Sequence, residues 1–208
     1  MARIKPFEDH SAAYDQWFDR HPDLYRAELG AIQGLFPQGE HKIGVEVGVG
    51  SGKFAAPLGI RFGVDPSLKM LERAKRQGIE VCMGVAEALP LHSQSFHLVL
   101  MVTTICFVDD IDLSFREAKR VLMQGGSIIV GFVDKKSPLG RIYEAKKGES
   151  RFYSLATFYS TEEVLQHLTS TGFQIDRIRQ TIIDGMSPDV VLDGYGKGSF
   201  IVIKARRP

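Results

Sequence analysis

Cysteine is almost missing from this chain. Cys82 and Cys106 are the only two in 208 residues, too few for a disulfide framework, and they stand at neither Cys-x-x-Cys nor metal-ligand spacing. Both read as buried thiols of a reducing compartment. No stretch of about 18 apolar residues exists to cross a bilayer, and the opening MARIKPFEDH carries charge without a following apolar segment. A cytoplasmic protein with no membrane partner is expected. Charge of one sign is lacking as well: 26 Lys and Arg against 25 Asp and Glu give a net +1, which excludes strong electrostatic attraction to nucleic acid. The basic residues Lys204, Arg206 and Arg207 read as a solvated chain end. With no repeat and no low-complexity tract, the whole chain should fold, as one domain and as a monomer or homodimer.

What is present is an alternation. Short apolar runs at 43–47, 60–64 and 79–83 are separated by helix-compatible stretches, a β-α-β-α-β pattern. A run at 96–103 precedes an amphipathic segment at 109–122, in which Ile111, Phe115, Ala118, Val121 and Leu122 recur at helical spacing and which Gly125 and Gly126 should stop. Residues 127–133 form another apolar strand, a helix opens at Ser160 or Thr161 and runs to Gly172, and strands follow at 173–181 and 199–205. The pattern predicts an α/β fold with a Rossmann-like, doubly wound sheet. Residues 1–40, with Tyr14, Trp17, Phe18 and Tyr25 on helical ground, are expected to form an N-terminal helical lid. Residues 41–134 would then be the cofactor-binding core, 135–160 an irregular substrate-side segment, and 161–208 a closing helix with two strands.

The first strand runs into Glu46-Val47-Gly48-Val49-Gly50-Ser51-Gly52. Glycines at alternate positions let backbone approach a ligand without Cβ interference, at the carboxyl end of a strand where such folds bind ligands. Two phosphate-binding readings fail on spacing. Lys53 stands where a dinucleotide fingerprint needs its third glycine, and Gly52-Lys53 is followed by Phe54 rather than Ser or Thr. Asp65 closes the second strand, where an acidic residue can accept from both ribose hydroxyls; the alternative for Asp65 is an N-cap of the helix starting near Pro66.

These motifs resemble the class I S-adenosylmethionine-dependent methyltransferases, in particular the group that includes the ubiquinone and menaquinone biosynthesis enzymes. The resemblance rests on 45–52, on Asp65-Pro66-Ser67 with Met70-Leu71, on Ala86-Glu87-Ala88-Leu89-Pro90 followed by Ser95-Phe96, and on Arg120-Val121-Leu122 with Gly125-Gly126. It implies a seven-stranded sheet whose last strand is antiparallel, with S-adenosylmethionine as cofactor. It also implies that Glu46, Gly48, Gly50 and Gly52 line the methionine moiety and that Asp65 holds the ribose. Pro66 and Met70 would flank the adenine, Ala86 and Glu87 would lie at its edge, and Thr103 would face the methionine amino group. The chain departs from the pattern at Val85, where relatives often carry Asp for the adenine amino group, and at Cys106-Phe107, where they often carry a histidine pair.

Methyl transfer by direct displacement needs alignment and water exclusion more than side-chain chemistry, so no metal and no obligatory nucleophile are expected. A base would assist some acceptors, and Tyr14, Asp15, His21, Tyr153 and Tyr159 are the candidates in the two irregular regions. Asp109, Asp110 and Asp112 read as cap and first-turn residues rather than metal ligands. The expected partner is a small-molecule methyl acceptor offering nitrogen, oxygen or carbon. Two alternatives share the sheet and the glycine turn: a non-catalytic S-adenosylmethionine-binding protein and an NAD(P)-dependent oxidoreductase. The first 40 residues are expected to close over the ligand, with Trp17, the one tryptophan, reporting it.

Overall fold

A computed structural model describes residues 5–36 and 43–208; the expected junction between lid and core at residues 40 and 41 lies outside them. The apolar runs become β1 (Gly44–Val47), β2 (Phe62–Asp65), β3 (Glu80–Met83), β4 (Phe96–Val102) and β5 (Leu122–Val133), all parallel. The C-terminal strands are β6 (Gln174–Ile183), a two-residue β7 (Leu192–Asp193) and β8 (Gly198–Arg206), giving the order β3-β2-β1-β4-β5-β8-β6-β7. The expected seven strands are therefore present, and the last of them, β8, is inserted antiparallel between β5 and β6. The short β7 is an eighth strand on the edge of β6.

Side-chain alternation along β4 divides the core into two layers, since successive residues of a strand point to opposite faces. Val99 and Met101 pack under α4 (Ile111–Val121) and α6 (Thr161–Ser170) through Phe115, Ala118, Val164 and Leu168. Leu98, Leu100 and Val102 face α1 (Lys5–Arg20), α2 (Pro22–Gln33) and α3 (Leu68–Arg76) through Phe18, Ile32, Leu71 and Ala74. Asp110 caps α4 by accepting from the Leu113 N–H at 2.9 Å. Ser160 caps α6 in a capping box with Glu163.

Four expectations need correction. The crossover from β1 to β2 contains only turns: Pro57 has no N–H to continue the bonds from Ala56 to Gly52 and from Leu58 to Phe54. Helix α4 stops at Val121 and β5 begins at once, so Gly125 and Gly126 lie inside the strand where its register against β4 shifts. The segment 135–160 is not irregular throughout, because Ser137 and Pro138 open α5 (Pro138–Ala145), with the Ser137 hydroxyl accepting from the Gly140 N–H at 3.0 Å. The C-terminal cations are tied down rather than solvated: Lys204 pairs with Asp176 at 3.3 Å, and Arg207 donates to the Lys119 carbonyl at 2.8 Å and to that of Leu122.

The Arg120 that belongs to the fourth motif has a structural task. Its guanidinium donates to both carboxylate oxygens of Glu117 and to the carbonyls of Leu89 and Leu91, while Glu117 accepts from the Leu89 N–H. The pair thereby pins the 85–95 loop. Charge-assisted bonds are worth about 1.5–3 kcal/mol, and with the pair only partly buried Arg120→Ala should lower unfolding stability by about 2 kcal/mol in urea titration. A change below about 0.5 kcal/mol would show that the loop is held by other contacts.

Candidate functional site

The strand order reverses between β1 and β4, and a cleft of about 1290 Å³ opens there at the carboxyl ends of the strands. That position is where open α/β sheets take their ligands. One half is built from the sheet. Gly48 (φ 73°) and Gly50 (φ 52°) expose backbone to it, and an added Cβ on Gly48 would meet the Thr104 side chain at 2.4 Å. Asp65, Pro66, Met70, Val85, Ala86, Glu87 and Thr103 complete this half.

Of the ten residues named from the sequence for cofactor contact, Gly48, Gly50, Asp65, Pro66, Met70, Ala86, Glu87 and Thr103 line the cleft. Gly52 and Glu46 do not. Gly52 is packed so tightly that a Cβ would lie 2.5 Å from Ile79 Cδ1. Glu46 lies under the turn, 1% exposed, with one carboxylate oxygen that has no hydrogen-bond partner among the described residues; burial, the largest cause, pushes its pKa well above the usual carboxylate range.

Asp65 is not the helix cap, which is Ser67. Its two oxygens instead accept from the Ser67 N–H at 2.8 Å and the Gly50 N–H at 2.9 Å, fixing the carboxylate beside the glycine turn. Burial raises its pKa to about 6 in spite of those bonds, which favour the ionised form. Glu87 accepts from the Asp109 and Asp110 N–H groups with one oxygen, so only its other oxygen is open to a ligand. Thr103, a β-branched residue at φ 50°, holds a strained conformation at the end of β4, as functional sites often do.

The other half is aromatic. The rings of Tyr14, Phe7, Phe107, Tyr153 and Tyr143 follow one another with centroid spacings of 5.8, 5.0, 5.9 and 5.1 Å, and Phe152 packs on Phe7 at 5.6 Å. Tyr14 and Phe7 come from α1, which is tied to α3 by the Asp15–Arg73 ion pair at 2.7 Å. Trp17 also lines the cleft. Among the base candidates, Tyr14 and Tyr153 line the cleft, with pKa values driven upward chiefly by burial. Tyr159 faces a smaller adjoining chamber of about 320 Å³. Asp15 is taken up by Arg73, and His21 stacks on Trp17 at 4.8 Å with its Nδ1 2.9 Å from the Trp17 carbonyl, outside the lining.

The sequence reading missed Glu28, Tyr143, Phe7 and Phe152, which also line the cleft. Glu28 left one detectable signal: it shares the apolar face of α2 with Ala27, Ala31 and Ile32. A carboxylate there is unusual, since lone buried acids are disfavoured. The aromatic residues left none, because nothing in their spacing separates a lining ring from a packed one.

A family model described as Methyltransferase domain matches residues 45–130. A solved Thermotoga maritima structure, described as a SAM-dependent methyltransferase and possible histamine N-methyltransferase, superposes with a TM-score of 0.93 at 44% identity, over 99% of this chain and 100% of that one. An uncharacterized protein of Methanocaldococcus jannaschii is 39% identical over 204 residues, 97% of this chain and 98% of its own. A longer uncharacterized protein of Mycobacterium tuberculosis is 38% identical over 179 residues, and this alignment spans 61% of its length. The chain belongs to the S-adenosylmethionine-dependent methyltransferases, and S-adenosylmethionine is its cofactor. No helix among the described residues is long and apolar enough to cross a membrane.

Proposed function

We propose that the chain transfers the methyl group of S-adenosylmethionine to a small-molecule acceptor held in the aromatic half of the cleft. When bound, the cofactor supplies a methyl group already activated on a sulfonium, so the protein's work is to bind, align and exclude water. The observation that carries the reading is the aromatic wall of Phe7 and Tyr14 from α1, Phe107, and Tyr143, Phe152 and Tyr153 of the 135–160 segment, which suits the space beside the glycine turn to a low-mass, partly apolar molecule. The description of the Thermotoga relative, a possible histamine N-methyltransferase, supports an acceptor of that size.

In this reading the two halves divide the task. Asp65 accepts from the ribose hydroxyls with the lone pairs that Gly50 and Ser67 leave free. Gly48 and Gly50 give the backbone close approach to the methionine moiety. Pro66, Met70, Val85 and Ala86 form apolar walls for the adenine. With Val85 in place of an acid, the open oxygen of Glu87 is the side-chain acceptor available to its amino group. Tyr14, Trp17 and Phe18 from α1 close the top, the lid role proposed for this helix.

The test is release of S-adenosylhomocysteine when the enzyme and cofactor are offered low-mass and macromolecular fractions of a cell extract separately. Turnover confined to the low-mass fraction is the expected result. Turnover confined to RNA or protein would overturn the small-molecule reading. Binding of the cofactor without turnover in either fraction would favour a non-catalytic binder.

A further inference from the structure

Glu28 has no task in the donor half of the cleft. It projects from α2, is 5% exposed, and lines the cavity, yet among the described residues its carboxylate accepts no hydrogen bond and meets no cation. Burial alone pushes its pKa up to about 8, with no neighbouring positive charge to offset it. Its charge is felt by Tyr14, Tyr143 and Tyr153, whose phenols it helps to raise, so the carboxylate sits within electrostatic reach of three rings of the aromatic wall. None of the described residues lining the cleft is Lys, Arg or His.

An isolated buried carboxylate is unfavourable unless a proton or a cation completes it, and since the described lining holds no cation, a cation can only come with the ligand. Aromatic faces around a carboxylate are the surroundings that suit an organic ammonium, which gains from ring quadrupoles and from the opposite charge together. A neutral alcohol or phenol could donate one hydrogen bond but would leave the Glu28 charge uncompensated, and an anionic acceptor would be repelled by a lining whose charged groups are all acidic.

Resting on the small-molecule reading above, we propose that Glu28 is the recognition residue for the methyl acceptor, and that the acceptor is a small organic amine. Its cationic nitrogen pairs with the Glu28 carboxylate, which takes up the ammonium proton so that the neutral amine regains the lone pair a methyl acceptor needs, while its apolar body lies against Tyr14, Tyr143 and Tyr153.

The test is calorimetric titration of the full chain saturated with S-adenosylhomocysteine, using 2-phenylethylamine and its neutral isostere 2-phenylethanol as probes. Wild type should bind the amine at least about tenfold more tightly than the alcohol, and Glu28→Gln should abolish that preference while holding S-adenosylhomocysteine within about threefold of wild type. Equal binding of the two probes by wild type would overturn the proposal without recourse to any variant. So would a preference that survives in Glu28→Gln, or a parallel loss of S-adenosylhomocysteine affinity, which would assign Glu28 to the donor instead. Because binding is read independently of turnover, failure here is distinct from failure of the extract assay. That assay alone decides whether small molecules are methylated.

Discussion

Gly48→Ala should abolish measurable binding of S-adenosylhomocysteine, a loss of at least about 100-fold in calorimetric titration. Two effects add. The residue holds φ 73°, a conformation that costs an L-residue about 1–2 kcal/mol. The new Cβ would also lie 2.4 Å from the Thr104 side chain, whose hydroxyl donates to the Val47 and Val102 carbonyls at 3.2 and 3.0 Å and so cannot swing away freely. Either the turn or Thr104 must shift, and each lines the cleft. Gly59→Ala separates the two effects, because Gly59 has nearly the same φ of 71° but nothing within 4 Å of an added Cβ. It should lose stability alone and keep its affinity. Binding by Gly48→Ala within about threefold of wild type would mean that the turn does not cradle the ligand.

Asp65→Asn should separate stability from binding. A carboxylic acid whose folded pKa, about 6, lies above its unfolded value of 3.8 holds its proton more tightly in the folded chain. Its favourable contribution is therefore present below the unfolded pKa and is lost as pH rises through the folded one. Near neutrality the ionised, buried carboxylate burdens the ligand-free fold by up to about 3 kcal/mol. The neutral amide should accordingly raise the ligand-free melting temperature near pH 7.5 by several degrees, and the gain should shrink as pH falls below about 6 and vanish only below the unfolded value of 3.8. Affinity for S-adenosylhomocysteine should move the other way. It falls about 100-fold near pH 7.5, because an amide offers one acceptor oxygen where two were needed for backbone and ribose. Wild-type affinity should itself weaken as pH drops below about 6, as Asp65 takes up its proton. A variant that binds like wild type would remove Asp65 from the donor site, and one less stable near neutrality would show that its two backbone bonds outweigh the burial of charge.

The half of the cleft built on the glycine turn was legible because its residues are local to recognisable elements. A glycine turn at a strand end, an acid at the next strand end and the Ala86-Glu87 pair each lie within a few residues of a recognisable element, and the sheet topology brings such points together without further instruction. Asp65 shows where local reasoning stops. Both readings allowed by the sequence made it a lone group, whereas in the fold it is bound across β1 and β2 by Gly50, 15 residues away. Gly125 and Gly126 show the same limit: read along the chain they end a helix, but pairing of β5 with its neighbours draws them into a strand.

What the sequence by itself determined about this protein was the α/β alternation, the parallel sheet and the donor, since apolar periodicity and turn chemistry are written in neighbouring residues. The tertiary structure alone decided the aromatic half of the cleft. It set Glu28 of α2, Phe7 of α1 and Tyr143 of α5 around one cavity, with Phe152 and Tyr153 of the following segment beside them. These residues are up to about 150 positions apart, and no local propensity links them; packing of α1, α2 and the 135–160 segment over the carboxyl ends of the strands brings them together. The setting of Glu28 came the same way, because the fold alone leaves this carboxylate of an apolar helix face beside a cleft and, among the described residues, without a partner, which is what the proposed recognition role rests on.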